Sequence, residues 1–283
     1  MCMGLGCNAV GVTGCRIIDS GRERLIAALT NSFMPCNGRF PTVIAVVTVF
    51  FSGLAGASSV AVALALFALI LLGVAVTLLC SAALSATILR GEPSAFALEL
   101  PPYRRPEICK TVARSILDRT FFVLGRSLAV AAPAGLVIWI LANATVGGET
   151  LLSVVAEALD PLGKILSMDG AIILAFLLSL PASEIFIPIT LMIYSSGGSL
   201  TDYSSIGELS LLLTSNGWTA VTAIAVCLFT VFHFPCAGTL LTVKRETGRW
   251  KWAALAAVIP TAVGVILCLG VTLISKIIFL INF

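Results

Sequence analysis

"VCLFTVFHFPCAGTLLTVKRE", residues 226–246, carries the only histidine of the chain beside a proline and a cysteine. The histidine lies inside a window, Leu209–Val243, with no Asp, Glu, Lys or Arg. So apolar a stretch reads as a membrane helix, and a proline within it breaks the backbone ladder. "FMPCNG", residues 33–38, repeats the Pro-Cys-x-Gly pattern some two hundred residues earlier. Two membrane helices therefore break at matched places.

Composition agrees. The chain is 59% hydrophobic and 11% charged, with a mean hydropathy of +1.08, whereas soluble domains carry about a quarter charged residues. Phe40–Leu89 contains no charge at all, length enough for two passes of roughly 20 residues each. The expected fold class is an all-α polytopic membrane protein. A transmembrane barrel is excluded, since that pattern is short alternating strands. The nine cysteines are scattered along apolar segments, without the dense spacing of a disulfide scaffold. Cys80, Cys227 and Cys268 read as packing residues, and Cys15 and Cys109 carry no signal. A net charge of +3 calls for no nucleic-acid partner.

Basic clusters orient the spans. Arg22/Arg24, Arg90–Arg126 and Lys244–Lys251 are placed in the cytoplasm. Residues 25–52 then lead outward, 58–89 return through a turn at Ser52–Gly56, and Ser127–Gly148 leads out again. The sparse stretch with Glu149, Glu157 and Asp160 is expected as an external loop. Gly170–Thr201 holds one charge, Glu184, in "LPASEIFIP" (180–188), where Pro181 and Pro188 flank it. A full crossing here would deliver "KRETGRWK" outside, so a re-entrant hairpin is expected instead. Irregular backbone at that depth requires cover by protein or a water-filled cavity.

The same order then occurs twice: a polar interruption ("GLGCN", 4–8, or "LPASE"), a Pro-Cys-broken helix, and an unbroken helix. The two broken helices run in opposite senses, which is an inverted repeat, and paired interruptions of this kind point to a transporter's binding site. The expected divisions are a first repeat over 1–95, a cytoplasmic basic amphipathic linker over 96–126, a transmembrane helix with an external loop over 127–169, and a second repeat over 170–283. Met1–Gly21 is long enough only for the second arm of a hairpin, so an incomplete transport unit is expected.

These residues resemble the membrane region of the FeoB-type ferrous iron transporters. "GLGCN" is similar to the family's Gly-x-Gly-Cys-Asn stretch, and "RERLIAALTNSFMPCNGRFP" (22–41) to its first Gate motif. "ELPPYRRP" (99–106) resembles its loop, "LPASEIFIPI" its Glu-containing segment, and "FHFPCAGTLLTVKRETGRWKWA" (232–253) its second Gate motif. Ser183 stands where relatives tend to carry Asn or Lys. The family's N-terminal GTP-binding domain has no counterpart here, and no Gly-x-x-x-x-Gly-Lys-Ser/Thr loop occurs in these residues. The resemblance implies Fe(II) uptake across a bacterial cytoplasmic membrane as a multi-pass protein, no enzyme activity and no cofactor in this chain, and a GTPase domain or subunit acting in trans. The bilayer, Fe(II) and a second copy of the chain are the remaining expected partners.

Each candidate metal residue has two readings. Cys36 and Cys236 supply borderline-soft thiolates at matched breaks, or pack in tight proline turns. Glu184 is a functional candidate as an intramembrane carboxylate, or a solvated residue at the hairpin mouth. Asn8 offers a carbonyl oxygen or a helix cap, and Cys7 beside it a thiolate or packing. His233 and Met34 are ligands by type, but their spacing from the cysteines equally suits packing. Arg39 either balances the site or snorkels to an interface. "KRETGRWKW" reads as a headgroup anchor, with Trp250 and Trp252 at the interface, or as a docking point. A secondary transporter of an organic solute such as a nucleoside, and a non-transporting regulatory subunit, are the competing functions.

Overall fold

The computed structural model describes residues 2–51, 59–87, 107–114, 121–146, 148–195, 200, 203 and 205–281. The expected turn at Ser52–Gly56 lies outside them, as does most of the 96–126 linker. The described chain is α-helical apart from a two-residue antiparallel ladder, Thr145–Val146 with Glu149–Thr150. Its helices are α1 (Asn8–Gly14), α2 (Gly21–Thr30), α3 (Phe40–Phe51), α4 (Ser59–Ala86), α5 (Ile108–Arg114), α6 (Phe122–Asn143), α7 (Leu151–Ile165), α8 (Gly170–Leu178), α9 (Phe186–Tyr194), α10 (Ile206–Ser215), α11 (Ala220–Phe232), α12 (Ala237–Thr247) and α13 (Trp250–Ile281). Short 3-10 turns occupy the junctions, among them Asn31–Phe33, Asn37–Arg39 and Ser183–Ile185.

Among the described residues four segments are long and apolar enough to cross a membrane: Gly21–Phe50, Val62–Ala86, Ala220–Thr247 and Trp250–Ile278. The first and third contain the Pro-Cys breaks. They are also the better buried of the four, while the unbroken α4 and α13 turn most of their surface outward. An all-α polytopic membrane fold results.

Helix starts follow local capping chemistry. Ser20 accepts from the Glu23 amide to open α2, and Ser205 from the Glu208 amide to open α10. Thr150, Asp169 and Thr219 cap α7, α8 and α11 in the same way. Each satisfies one of the amides orphaned at a helix start, typically worth ~1 kcal/mol.

Two expectations are corrected. The stretch with Glu157 and Asp160 is not a loop but the amphipathic helix α7, which meets α8 at 107°. Polar spacing hid it: Glu157 and Lys164 are exposed, while Leu152, Ala156 and Gly163 are buried. The crossing depends on Gly170, where a Cβ would stand 1.8 Å from the Ala156 carbonyl oxygen. Second, Leu209–Val243 is not one broken helix. α10 ends at Asn216-Gly217, where Gly217 adopts φ 81° and the Trp218 amide folds back on the Leu213 carbonyl. A left-handed glycine terminates a helix, so the span proper starts at Ala220.

The Gly170–Tyr194 segment is a hairpin. Its arms α8 and α9 have nine residues each, about 14 Å of helix, far short of the ~30 Å hydrocarbon thickness. The hairpin closes at its base, where the Tyr194 hydroxyl donates to Asp169 and the Trp218 indole donates to the Tyr194 oxygen at 2.8 Å. α8, α9 and α11 supply most of the largest core, including Ile172, Phe176, Phe186, Ile189 and Val226.

Candidate functional site

The two breaks are built alike. In the first, α2 runs through the 3-10 turn Asn31–Phe33 to Met34, extended at ψ 122°, ahead of Pro35. In the second, α11 ends at His233, extended at ψ 177°, ahead of Phe234 and Pro235. The proline ring disfavours helical geometry in the residue before it, which explains why both helices stop short of it. Cys36 and Cys236 are extended at ψ 166° and 155°, and each begins the helical segment that follows.

The residue after each cysteine is tied to the matching interruption. Asn37 donates its amide to the Gly6 carbonyl at 3.3 Å, and Ala237 donates to the Leu180 carbonyl at 2.8 Å. Each break also meets a glycine of the unbroken helix in its own half. A Cβ at Gly73 of α4 would stand 3.1 Å from the Phe33 carbonyl oxygen, and one at Gly264 of α13 would stand 2.8 Å from that of Phe232. Phe33 and Phe232 face each other with ring centroids 6.2 Å apart.

Cys236 and Cys7 both lie in the neighbourhood of the Cys36 thiol. Cys36 and Cys236 are half-buried and Cys7 is exposed. The Cys236 sulfur contacts the Thr239 hydroxyl at 3.3 Å. Glu184 is exposed at the hairpin tip but lies against the first break: a Cβ at Gly38 would stand 3.1 Å from its Oε1. Among the described residues no three of His, Cys, Asp and Glu are close enough to form one metal cage. Glu184 thus lies beside the first break, near Gly38, and Cys7 and Cys236 lie near Cys36.

The other three candidates are interior. Asn8 is 3% exposed; with its amide nitrogen turned toward them, its two N–H groups have the carbonyls of Gly4, Asn31 and Met34 within 3.2–3.3 Å as acceptors. Its own carbonyl accepts from Asn31 Nδ2 at 2.9 Å, so it pins the first interruption to the first break. His233 directs Nδ1 at the carbonyls of Phe229 and Thr230, 3.0 and 2.9 Å away, and so carries its proton there. Its ring is packed among Phe176, Phe229 and Phe234. Met34 is 5% exposed.

Arg39 is 1% exposed, which removes the snorkelling alternative. Nη1 donates to the carbonyls of Ser32 at 3.1 Å and Val231 at 2.7 Å, and Nη2 to those of His233 and Phe234 at 3.2 Å. Sequence reasoning missed Ser32 and Thr230. Both hydroxyls are buried without a hydrogen-bond partner, one at each break, and an unpaired buried polar group costs ~1–3 kcal/mol. Their only sequence signal is a small hydroxyl shortly before Pro-Cys.

Comparison with known proteins gives two family-model matches and several relatives. Residues 66–119 match the family model described as "Ferrous iron transport protein B C terminus", and residues 124–250 match the Gate model, described as "Nucleoside recognition". The protein named Fe(2+) transporter FeoB from Staphylococcus aureus (strain MSSA476) is 29% identical over 277 residues, 94% of this chain and 39% of the relative. That of Methanocaldococcus jannaschii is 24% identical over 293 residues, 99% of this chain and 41% of the relative. A Fe(2+) transport protein A/Fe(2+) transporter FeoB fusion protein from Porphyromonas gingivalis is 24% identical over 302 residues, 90% of this chain and 35% of the relative. No solved structure matches. The chain spans about two fifths of the length of these relatives. Two adjoining domain matches and an overlap of nearly the whole chain thus show similarity to part of the proteins named Fe(2+) transporter FeoB.

Proposed function

We propose that this chain is the transmembrane permease portion of a ferrous iron uptake transporter of the bacterial cytoplasmic membrane. The observation that carries the reading is the pair of alike-built Pro-Cys breaks, whose next residues bond the two interruptions and whose cysteines lie in one neighbourhood. Cys36 and Cys236 are the principal Fe(II) ligands, with Glu184 and Cys7 at the approaches. Ser32 and Thr230 add hydroxyl oxygens at the same breaks. Asn8, His233 and Met34 shape the site from inside the protein. Iron lies low in the affinity order of divalent metals, so a few borderline-soft donors in an unclosed sphere can take up Fe(II) and release it.

Residues 1–95 and 170–283 act as two inverted repeats, joined by the 96–126 cytoplasmic linker and the 127–169 segment. Rocking of one repeat against the other alternates access to the junction. The chain itself catalyses no reaction, and a GTPase domain or subunit in trans supplies coupling. The description of the Gate model favours a nucleoside-type solute as the second reading. Such a solute needs several convergent hydrogen-bonding side chains, whereas rings and thiols dominate around the second break.

Uptake of radiolabelled Fe(II) into proteoliposomes, with and without an added GTPase domain, tests the reading. Flux that is saturable in Fe(II) and lost in Cys36→Ser and Cys236→Ser is expected. Uptake of a labelled nucleoside with no Fe(II) flux would replace it by the second reading.

A further inference from the structure

The Arg39 guanidinium bonds both broken helices at once. Its acceptors lie at and just beyond the C-terminal ends of two helical segments: Ser32 in the first half, and in the second Val231 of α11 with His233 and Phe234 of the extended turn that follows. The last carbonyls of a helix have no partner within it. Each such end carries the equivalent of about half a negative charge. Two ends converging on one guanidinium therefore balance its single positive charge without a carboxylate. This explains how a cation 1% exposed persists at the centre of the protein, where an isolated charge is strongly disfavoured.

The device is not repeated. Counting from the cysteines, Arg39 in the first half corresponds to Thr239 in the second, and Thr239 contacts the Cys236 sulfur instead. One residue of one half thus serves both. Arg39 also follows Cys36 by three residues, within the 3-10 turn Asn37–Arg39, where its backbone amide donates to the Cys36 carbonyl at 2.9 Å. Any displacement of the second break relative to Arg39 is therefore felt at Cys36.

We propose that Arg39 is a positioning residue for cation transfer: by capping the C-terminal carbonyls of both broken helices with one planar guanidinium, it fixes the separation of the Cys36 and Cys236 turns. The consequence for transport rests on the reading of those cysteines as Fe(II) ligands, but the spacing itself does not. Lysine cannot replace the guanidinium fully, because a compact ammonium has three donors and no planar fork.

The test is thiol cross-linking of the full chain in detergent or liposomes, without metal, using a short bis-methanethiosulfonate reagent. Cross-linked peptides are quantified by mass spectrometry, and the Cys7–Cys36 product serves as internal reference, since Arg39 does not bridge that pair. In Arg39→Gln the Cys36–Cys236 product falls about ten-fold relative to the reference, the equivalent of ~1.4 kcal/mol of lost positioning. Arg39→Lys falls less, a graded rescue that a space-filling role does not produce. Where Arg39→Gln loses both products the fold has gone, and Arg39→Lys decides. A wild-type product ratio in folded Arg39→Gln, or in Arg39→Lys where the Gln variant is unfolded, overturns the proposal. Because no iron enters the assay, an absence of Fe(II) flux would sink the transport reading and leave this result standing.

Discussion

The amide of Ala237 donates to the carbonyl of Leu180 at 2.8 Å, joining the residue after Cys236 to the interruption of the hairpin. Ala237 is the first residue of α12 and follows an extended cysteine, a setting in which proline fits the backbone and removes only the N–H. Ala237→Pro therefore deletes this bond and little else. The expected outcome is a loss of about 1 kcal/mol in stability with a disproportionate fall in Fe(II) flux, read by thermal unfolding and uptake on the same preparation. Unchanged flux would mean that the hairpin contact plays no part in transport.

Glu184 offers a second check. It is exposed, so Glu184→Gln leaves the melting temperature nearly unchanged while reducing Fe(II) uptake about ten-fold, what ~1.4 kcal/mol of lost cation attraction produces. Gly38→Ala acts on the same contact from the other side, because the new Cβ would stand 3.1 Å from Glu184 Oε1. Equal uptake by both variants and the parent would remove Glu184 from the path.

Asn8 separates ligation from packing. Asn8→Asp keeps an oxygen donor for a metal but sets a carboxylate against the carbonyls of Gly4, Asn31 and Met34. Loss of a buried donor of this kind costs ~1–3 kcal/mol. Lowered stability both with and without Fe(II) is expected, and stabilisation of the variant by Fe(II) beyond the parent would restore Asn8 as a ligand.

Gly170→Ala tests the crossing of α7 and α8. The added Cβ meets the Ala156 carbonyl oxygen at 1.8 Å, so the hairpin base must shift at a cost of ~1–3 kcal/mol or more. Gly135→Ala in α6, where nothing lies within 4 Å, is the control; it is neutral or stabilising by up to about 1 kcal/mol. Equal melting temperatures for the two variants would contradict the crossing geometry.

Membrane class, the hairpin and both breaks were legible because each rests on local chemistry: charge-free runs, Pro181 beside Glu184, and proline ahead of Cys36 and Cys236. The helix over Leu151–Ile165 was not, since its polar face reads as a loop until α8 is there to cover the other face. The separate α10 turned on a single left-handed glycine, Gly217, whose sequence signal is a plain Asn-Gly pair inside an apolar run. At the site, residue type pointed to the thiols and to Glu184. It did not reveal that the Asn8 amide and the Arg39 Nη atoms meet backbone carbonyls, several of them in other segments, because such partners are set by tertiary packing.

Iron K-edge absorption of the Fe(II)-loaded chain tests most directly whether the two breaks form one metal centre. A sulfur shell around iron is expected, about halved in Cys36→Ser and again about halved in Cys236→Ser, as for two thiolates on one ion. Coordination by oxygen and nitrogen alone, unchanged by either substitution, would contradict the account.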